Sequence, residues 1–121
     1  MITILEDKQP NNPLVLNAWG TDHLITLDLD TYRDNGTLAI QMICYDDGYP
    51  EPWDRLTVNM SDSDTLGEDT QYVDVNHNGE EILNWIEANN LGTVTDIYYH
   101  SDWVSYPAVK FNMDEVRKHT S

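Results

Sequence analysis

Hydrophobic and polar positions alternate along much of the first half of the chain. In residues 23–29, Ile25, Leu27 and Leu29 fall on one side, and Thr26 and Asp28 fall on the other. An alternation of period two is typical of a strand with one buried face. Comparable patterns predict strands at 14–19, 37–45, 55–60, 71–75, 93–99 and 106–111.

Residues 46–52 are predicted to form a turn or loop. Pro50 and Pro52 exclude a central strand there, because proline cannot donate a ladder hydrogen bond. Proline at position 107 similarly places the strand at 106–111 near an edge.

The second half contains one clear helical pattern, at about residues 80–90. Ile82, Leu83 and Ile86 follow helical spacing, Asn78 is a suitable N-cap, and Gly92 follows the end. A last helical turn is predicted at 114–119. The whole pattern predicts an α+β fold: a single domain, with a mainly antiparallel sheet of about five strands and one packed helix. The length of 121 residues fits one domain.

The composition is strongly acidic. There are 22 Asp or Glu residues against 6 Lys or Arg, for a formal net charge of −16, while a hydrophobic fraction of 40% still supports a core. Such a charge repels nucleic-acid phosphates and anionic membranes, so we expect neither as a direct ligand. No apolar run approaches the roughly 20 residues of a membrane span, and residues 1–7 do not resemble a secretory signal. A single cysteine excludes an intrachain disulfide, so we expect a cytoplasmic protein.

The acidic residues are concentrated between residues 46 and 81, where Arg55 is the only basic residue. Asp74, Glu80 and Glu81 have a local explanation in a turn and a helix start. The carboxylates of two further segments lack one and are the candidate partner-binding residues: Asp46, Asp47, Glu51, Asp54, Asp62, Asp64, Glu68 and Asp69.

A weak metal candidate lies just before the helix. Asp74, Asn76, Asn78 and Gly79 match the first half of a calcium loop, but Trp85 stands where the closing Glu belongs. The alternative is an Asx-rich turn that caps the helix.

No other motif indicates catalysis or a cofactor. None of the four histidines pairs with another His or with Cys44 at metal-ligand spacing, and Cys44 falls inside a predicted strand, where cysteine is usually inert. We therefore expect no enzyme activity, no catalytic residues, no cofactor and no metal ligands beyond the weak calcium candidate.

Aromatic residues are interleaved with acidic ones in two places. Tyrosine and tryptophan are favoured at protein interfaces, although some of these rings must fill the core. The two groups are Tyr45, Tyr49 and Trp53, and Tyr98, Tyr99, Trp103 and Tyr106.

Several short stretches resemble a known family. They are residues 35–41, 56–59, 72–78, 86–92, 106–107 and 110–112. Together they resemble the DUF4313 family of small bacterial proteins over roughly residues 34–116, the family-like core, and leave residues 1–33 outside it. The resemblance implies an accessory protein of Gram-positive bacteria, their plasmids, integrative elements or phages. It implies no catalytic residue.

This context, with the charge, favours one function. Small acidic proteins of mobile elements often inhibit host defence, and a polyanionic surface suits the basic channel of a nuclease. We expect a non-enzymatic interaction protein that inhibits a CRISPR effector or a restriction enzyme by DNA mimicry. Two alternatives stay open: a structural or regulatory module whose acidity serves only solubility, and a calcium-binding module.

Overall fold

The computed structural model describes residues 12–120 and contains two four-stranded antiparallel sheets. In the first sheet the strands follow chain order: β1 (Leu14–Ala18), β2 (Thr21–Thr31), β3 (Leu38–Cys44) and β4 (Glu51–Arg55). The second sheet has the order β5-β6-β8-β7, with β5 (Thr57–Val58), β6 (Thr70–Val73), β7 (Gly92–Ser101) and β8 (Val104–Phe111).

Three short α-helices accompany the sheets in the described residues: α1 (Val75–Asn78), α2 (Glu81–Ala88) and α3 (Met113–Lys118). The predicted helix at 80–90 is α2, and the predicted last turn is α3. The expectation of one packed helix was too low, because the calcium-like segment itself forms α1.

The expected sheet of about five strands was also wrong, since eight strands divide between two sheets. The reason lies at Leu56, a fully buried residue where the chain passes from one sheet to the other. Its amide donates to the Ile40 carbonyl in the first sheet (2.9 Å), and its carbonyl accepts from the Asp74 amide after β6 (3.0 Å). The predicted strand at 55–60 therefore contributes to both sheets.

The predicted loop at 46–52 extends too far, because β4 begins at Glu51. Pro52 is opposite Ile43 in β4, which is an edge strand, and the pairing is irregular between Gln41 and Ile43. Proline is tolerated at a sheet edge, so its presence did not exclude a strand. Pro107 is tolerated for the same reason, although β8 is an internal strand. It is opposite Tyr98 of β7, and it lies beyond the part of β8 that pairs with β6, so its other side has no strand partner among the described residues.

Both sheets and the helices share one hydrophobic core. Thr26 of β2 is fully buried, which departs from the predicted alternation, but Ile25 and Leu27 are fully buried as predicted. They lie in the same cluster as Val109 of β8, Ile86 of α2 and Val116 of α3. The α+β class and the antiparallel pairing are thus confirmed.

Candidate functional site

The two acidic segments lie at opposite ends of the first sheet. Near the start of β2, Asp46 accepts a hydrogen bond from the Leu24 amide (2.8 Å). Near its end, Asp64 and Glu68 line a cleft of about 430 Å³ together with Thr31. Seven residues of strand separate Leu24 from Thr31, a distance of about 23 Å at the usual rise.

Two further carboxylates stand between these ends. Asp28 and Asp30 of β2 are exposed and alternate with the core residues Leu27 and Leu29. They line a cleft of about 730 Å³ together with Asp34, Arg33 and Arg55. The alternation at residues 23–29 already placed Asp28 away from the core, but Asp28 lies outside the two dense acidic segments. We call these six exposed carboxylates together the acidic track: Asp46, Asp47, Asp28, Asp30, Asp64 and Glu68.

Few cations neutralise this surface. In residues 12–120 the ion pairs made by Lys or Arg are confined to α3, where Arg117 lies 3.9 Å from Asp114 and Lys118 lies 3.4 Å from Glu115. Arg55 stands over the ring of Tyr32 instead, 5.6 Å from its centroid. The carboxylates of the acidic track thus form no ion pair with Lys or Arg among the described residues, although Arg33 and Arg55 line the cleft that contains Asp28 and Asp30.

Some of the nominated carboxylates make hydrogen bonds within the fold. Asp62 accepts a hydrogen bond from the Tyr72 hydroxyl, and burial, followed by this contact, raises the pKa of Tyr72 to about 12. Asp69 accepts from the Thr70 hydroxyl (3.0 Å). Glu51 is exposed, and Asp54 is half-buried. The nominated set is therefore mixed, and Asp47, Glu51, Asp64 and Glu68 are its members most available to a partner.

Asp46 takes part in a compact polar cluster. Its Oδ2 lies 2.5 Å from Nδ1 of His23, and the Leu24 amide and then His23 hold the pKa of the Asp46 carboxyl below its ordinary value. The ligand atoms of His23, Cys44 and Asp46 all lie within 4.8 Å of one another.

Strand register assembles this cluster. Ile25 is opposite Cys44, and the Tyr45 amide donates to the Leu24 carbonyl (2.9 Å), which brings Asp46 beside His23. Sequence spacing gave no indication of it, because the residues are distant in the chain and meet only through the pairing of β2 with β3.

Aromatic rings adjoin the cluster. The His23 ring lies 4.6 Å from that of Trp53, which lies 5.5 Å from Trp19, a side chain that is 87% exposed. Trp19, Trp53 and Trp85 line a cleft of about 720 Å³ that also contains Asp54 and Glu81.

The aromatic residues nominated from sequence divide between core and surface. Tyr45 is buried, whereas Tyr49 is 63% exposed. In the second group Tyr98 is 49% and Trp103 is 96% exposed. Trp19 was not nominated, because Asp22 is the only acidic residue near it and no other aromatic residue stands close to it in the sequence.

The calcium-like segment makes the contacts of a helix cap. The Asp74 carboxylate accepts from the His77 amide (3.2 Å) and pairs with its Nδ1 (2.8 Å), which raises the pKa of His77. The side-chain Nδ2 of Asn78 donates to the carbonyls of Arg55 (3.1 Å) and Asp74 (2.9 Å). These contacts fit the alternative of an Asx-rich cap, and calcium binding stays a prediction from sequence.

These features define a small α+β protein with two antiparallel sheets and a largely unpaired acidic surface. The chain belongs to the DUF4313 family, a domain of unknown function, whose model matches residues 26–121. The match begins within β2, earlier than the boundary at residue 34 expected from short motifs. No curated protein and no solved structure is significantly similar to the chain. Among the described residues, no helix has the length and apolar character needed to cross a membrane.

Proposed function

We propose that this chain is a non-enzymatic interaction protein of a mobile element or phage that inhibits a basic, nucleic-acid-binding host defence protein by DNA mimicry. One observation carries the proposal: among the described residues, the carboxylates of the acidic track form no ion pair with Lys or Arg. Unpaired charge of this density costs stability through self-repulsion, and a basic partner would relieve that cost.

The dimensions of the track suit such a partner. Its length of about 23 Å corresponds to roughly seven steps of a DNA strand, whose phosphates are spaced 3.4 Å apart along the helix axis. Asp28 and Asp30 alternate along one strand face, so they are separated by about 6.7 Å, close to two such steps. Lys and Arg side chains that bind phosphates in a DNA channel would contact carboxylates at comparable intervals.

The cleft beside Trp19 and Trp53 offers a place for an individual cation. An Arg or Lys head group is attracted to the face of tryptophan, and the carboxylates of Asp54 and Glu81 line the same cleft. Tryptophan and arginine are also the residues that most often dominate binding energy at interfaces. We infer that this cleft receives a basic side chain of the partner and that the track supplies long-range attraction.

The test uses purified CRISPR effectors and restriction endonucleases with fluorescent target DNA. We expect the wild-type chain to displace DNA from at least one of them, and we expect the inhibition to weaken steeply as salt is raised. The variant D28N/D30N/D47N/D64N removes four track charges without adding bulk. It should slow association with the partner by about tenfold or more, because steering depends on the summed field.

The matched control removes the same number of charges elsewhere, in D96N/D102N/E80Q/D114N. Asp102 has a positive φ of 27°, which asparagine tolerates, so this backbone is preserved. The control should inhibit nearly as well as the wild type. The proposal fails if no tested protein is inhibited, or if the two variants lose inhibition equally.

A further inference from the structure

We propose that His23, Cys44 and Asp46 form a Zn²⁺-binding site at the end of the first sheet where β2 meets the β3–β4 turn. The three side chains offer one nitrogen, one sulfur and one oxygen, and these atoms lie within 4.8 Å of one another. Imidazole, thiolate and carboxylate are the ligands that zinc uses in proteins, whereas calcium and magnesium prefer oxygen alone.

The histidine is already oriented for this role. Its Nδ1 faces Asp46, and its Nε2 lies 3.4 Å from the carbonyl oxygen of Ala18, the last residue of β1. A histidine that binds a metal usually donates its other ring N–H to a carbonyl or a carboxylate, which fixes the tautomer. The Ala18 carbonyl occupies the position of that outer partner.

The carboxylate is positioned in the same way. Oδ1 of Asp46 accepts from the Leu24 amide, so the backbone holds one oxygen, and Oδ2 is directed toward His23. Zinc bonds of about 2.0–2.3 Å in a tetrahedron require ligand atoms roughly 3.3–3.8 Å apart. Side-chain shifts of about 1 Å would therefore open the His23–Asp46 contact and bring in the sulfur.

The charge around the sulfur favours a cation. Glu51 is opposite Cys44 in the β3–β4 pairing, and its carboxylate and that of Asp46 both act on the thiol. Zinc would bind Cys44 as the thiolate, so binding would displace the thiol proton.

The site has three protein ligands and leaves a fourth position for water or for a group from another molecule. This arrangement is typical of zinc sites that keep an exchangeable position. The exposed ring of Trp19 meets the His23 ring edge-on at 6.4 Å between centroids, and the half-buried ring of Trp53 is tilted against it at 4.6 Å.

The test is a Co²⁺ titration of the reduced full-length chain, followed by absorption, with Zn²⁺ as competitor. We expect one Co²⁺ per chain, a thiolate-to-cobalt charge-transfer band, and the strong visible bands of tetrahedral coordination. Zn²⁺ should abolish both signals and release about one proton per chain in weakly buffered solution. It should also protect Cys44, the chain's only cysteine, from alkylation.

Variants separate this site from general binding of cations to an acidic chain. C44S should lose the charge-transfer band completely. H23Q and D46N should weaken Co²⁺ binding by more than the roughly 10–100-fold that loss of an outer partner costs. H77Q is the matched control, because it removes a histidine paired with a carboxylate that has no cysteine beside it in the structure, and it should bind Co²⁺ as the wild type does.

The result on the wild-type chain decides the proposal even if a variant fails to fold. Absence of the thiolate band at saturating Co²⁺ overturns it, and so does equal competition by Ca²⁺ and Zn²⁺, since both outcomes indicate binding through carboxylates alone. A stoichiometric thiolate band that Zn²⁺ removes and Ca²⁺ leaves unchanged supports it.

Discussion

Gln71 connects the two sheets through a buried polar contact, and its replacement by methionine tests how far that contact stabilises the fold. The residue lies in β6 of the second sheet and is fully buried. Its Nε2 donates to the Leu38 carbonyl (3.0 Å) and to the Thr37 hydroxyl (3.1 Å) at the start of β3, and its Oε1 accepts from the Tyr72 amide (2.9 Å).

The magnitude follows from what Q71M leaves unpaired. Methionine has a similar shape, so the main loss is of partners for the Leu38 carbonyl and the Tyr72 amide. A buried polar group without a partner costs about 1–3 kcal/mol. The Thr37 hydroxyl keeps its bonds to Asn35 and Asn59. The variant no longer buries a polar amide, and this offsets part of the cost. We therefore expect the free energy of unfolding to fall by about 3 kcal/mol, and Tm to fall by about 10 °C for a domain of this size.

Urea unfolding followed by tryptophan fluorescence measures the loss. The control is Q41M: Gln41 is half-buried, its Nε2 donates to the adjacent Met42 carbonyl (3.0 Å), and water can replace that contact. Q41M should cost less than about 1 kcal/mol. If Q71M costs no more than Q41M, the contact between the sheets does not stabilise the fold as argued.

Four further predictions concern packing and pH. Truncation in L56A should cost about 2–5 kcal/mol in urea unfolding, because Leu56 is fully buried where the chain changes sheets. G92A should lose about 1–3 kcal/mol in the same assay, since a Cβ at Gly92 would lie 2.8 Å from the Lys110 carbonyl oxygen. The pKa of Asp46 is lowered in the folded protein, so its ionised form contributes to the free energy of unfolding above the pKa of the unfolded state. This contribution is lost as the pH falls through the folded-state pKa, so D46N should flatten the acid side of a curve of stability against pH. The pKa of His77 is raised in the folded protein, so its protonated form contributes to the free energy of unfolding below the pKa of the unfolded state. This contribution is lost as the pH rises through the folded-state pKa, and H77Q should abolish this part of the pH dependence.

The sequence predicted the elements better than their arrangement. Alternation identified β2 and helical spacing identified α2, because both patterns are local consequences of which face is buried. The division into two sheets depends on Leu56, and a buried leucine within an extended segment looks the same whether the chain continues in one sheet or crosses to another. The prediction that Pro52 excludes a strand was wrong for a similar reason, since only the tertiary structure makes β4 an edge strand.

The candidate sites show the same limit. Charge density along the chain identified Asp47 and Asp64 as available carboxylates, but it missed Asp28 and Asp30, which are isolated in sequence and aligned only by the pleat of β2. The zinc cluster was beyond sequence reasoning, because no short motif contains it. Register alone brings a histidine of β2 to a cysteine at the end of β3.

Asp46 belongs to both proposals, so the experiments must separate its roles. The track variant retains Asp46, and therefore a loss of inhibition in that variant reports the charge of the track and leaves the zinc ligands intact. C44S makes the opposite separation, since it removes the sulfur ligand and leaves the formal net charge at −16. If inhibition rests on charge alone, C44S should inhibit as the wild type does, with or without Zn²⁺. If C44S loses inhibition while keeping its fold, the ion at this corner holds the Trp19–Trp53 cleft in the shape that the partner binds, and the two sites act together.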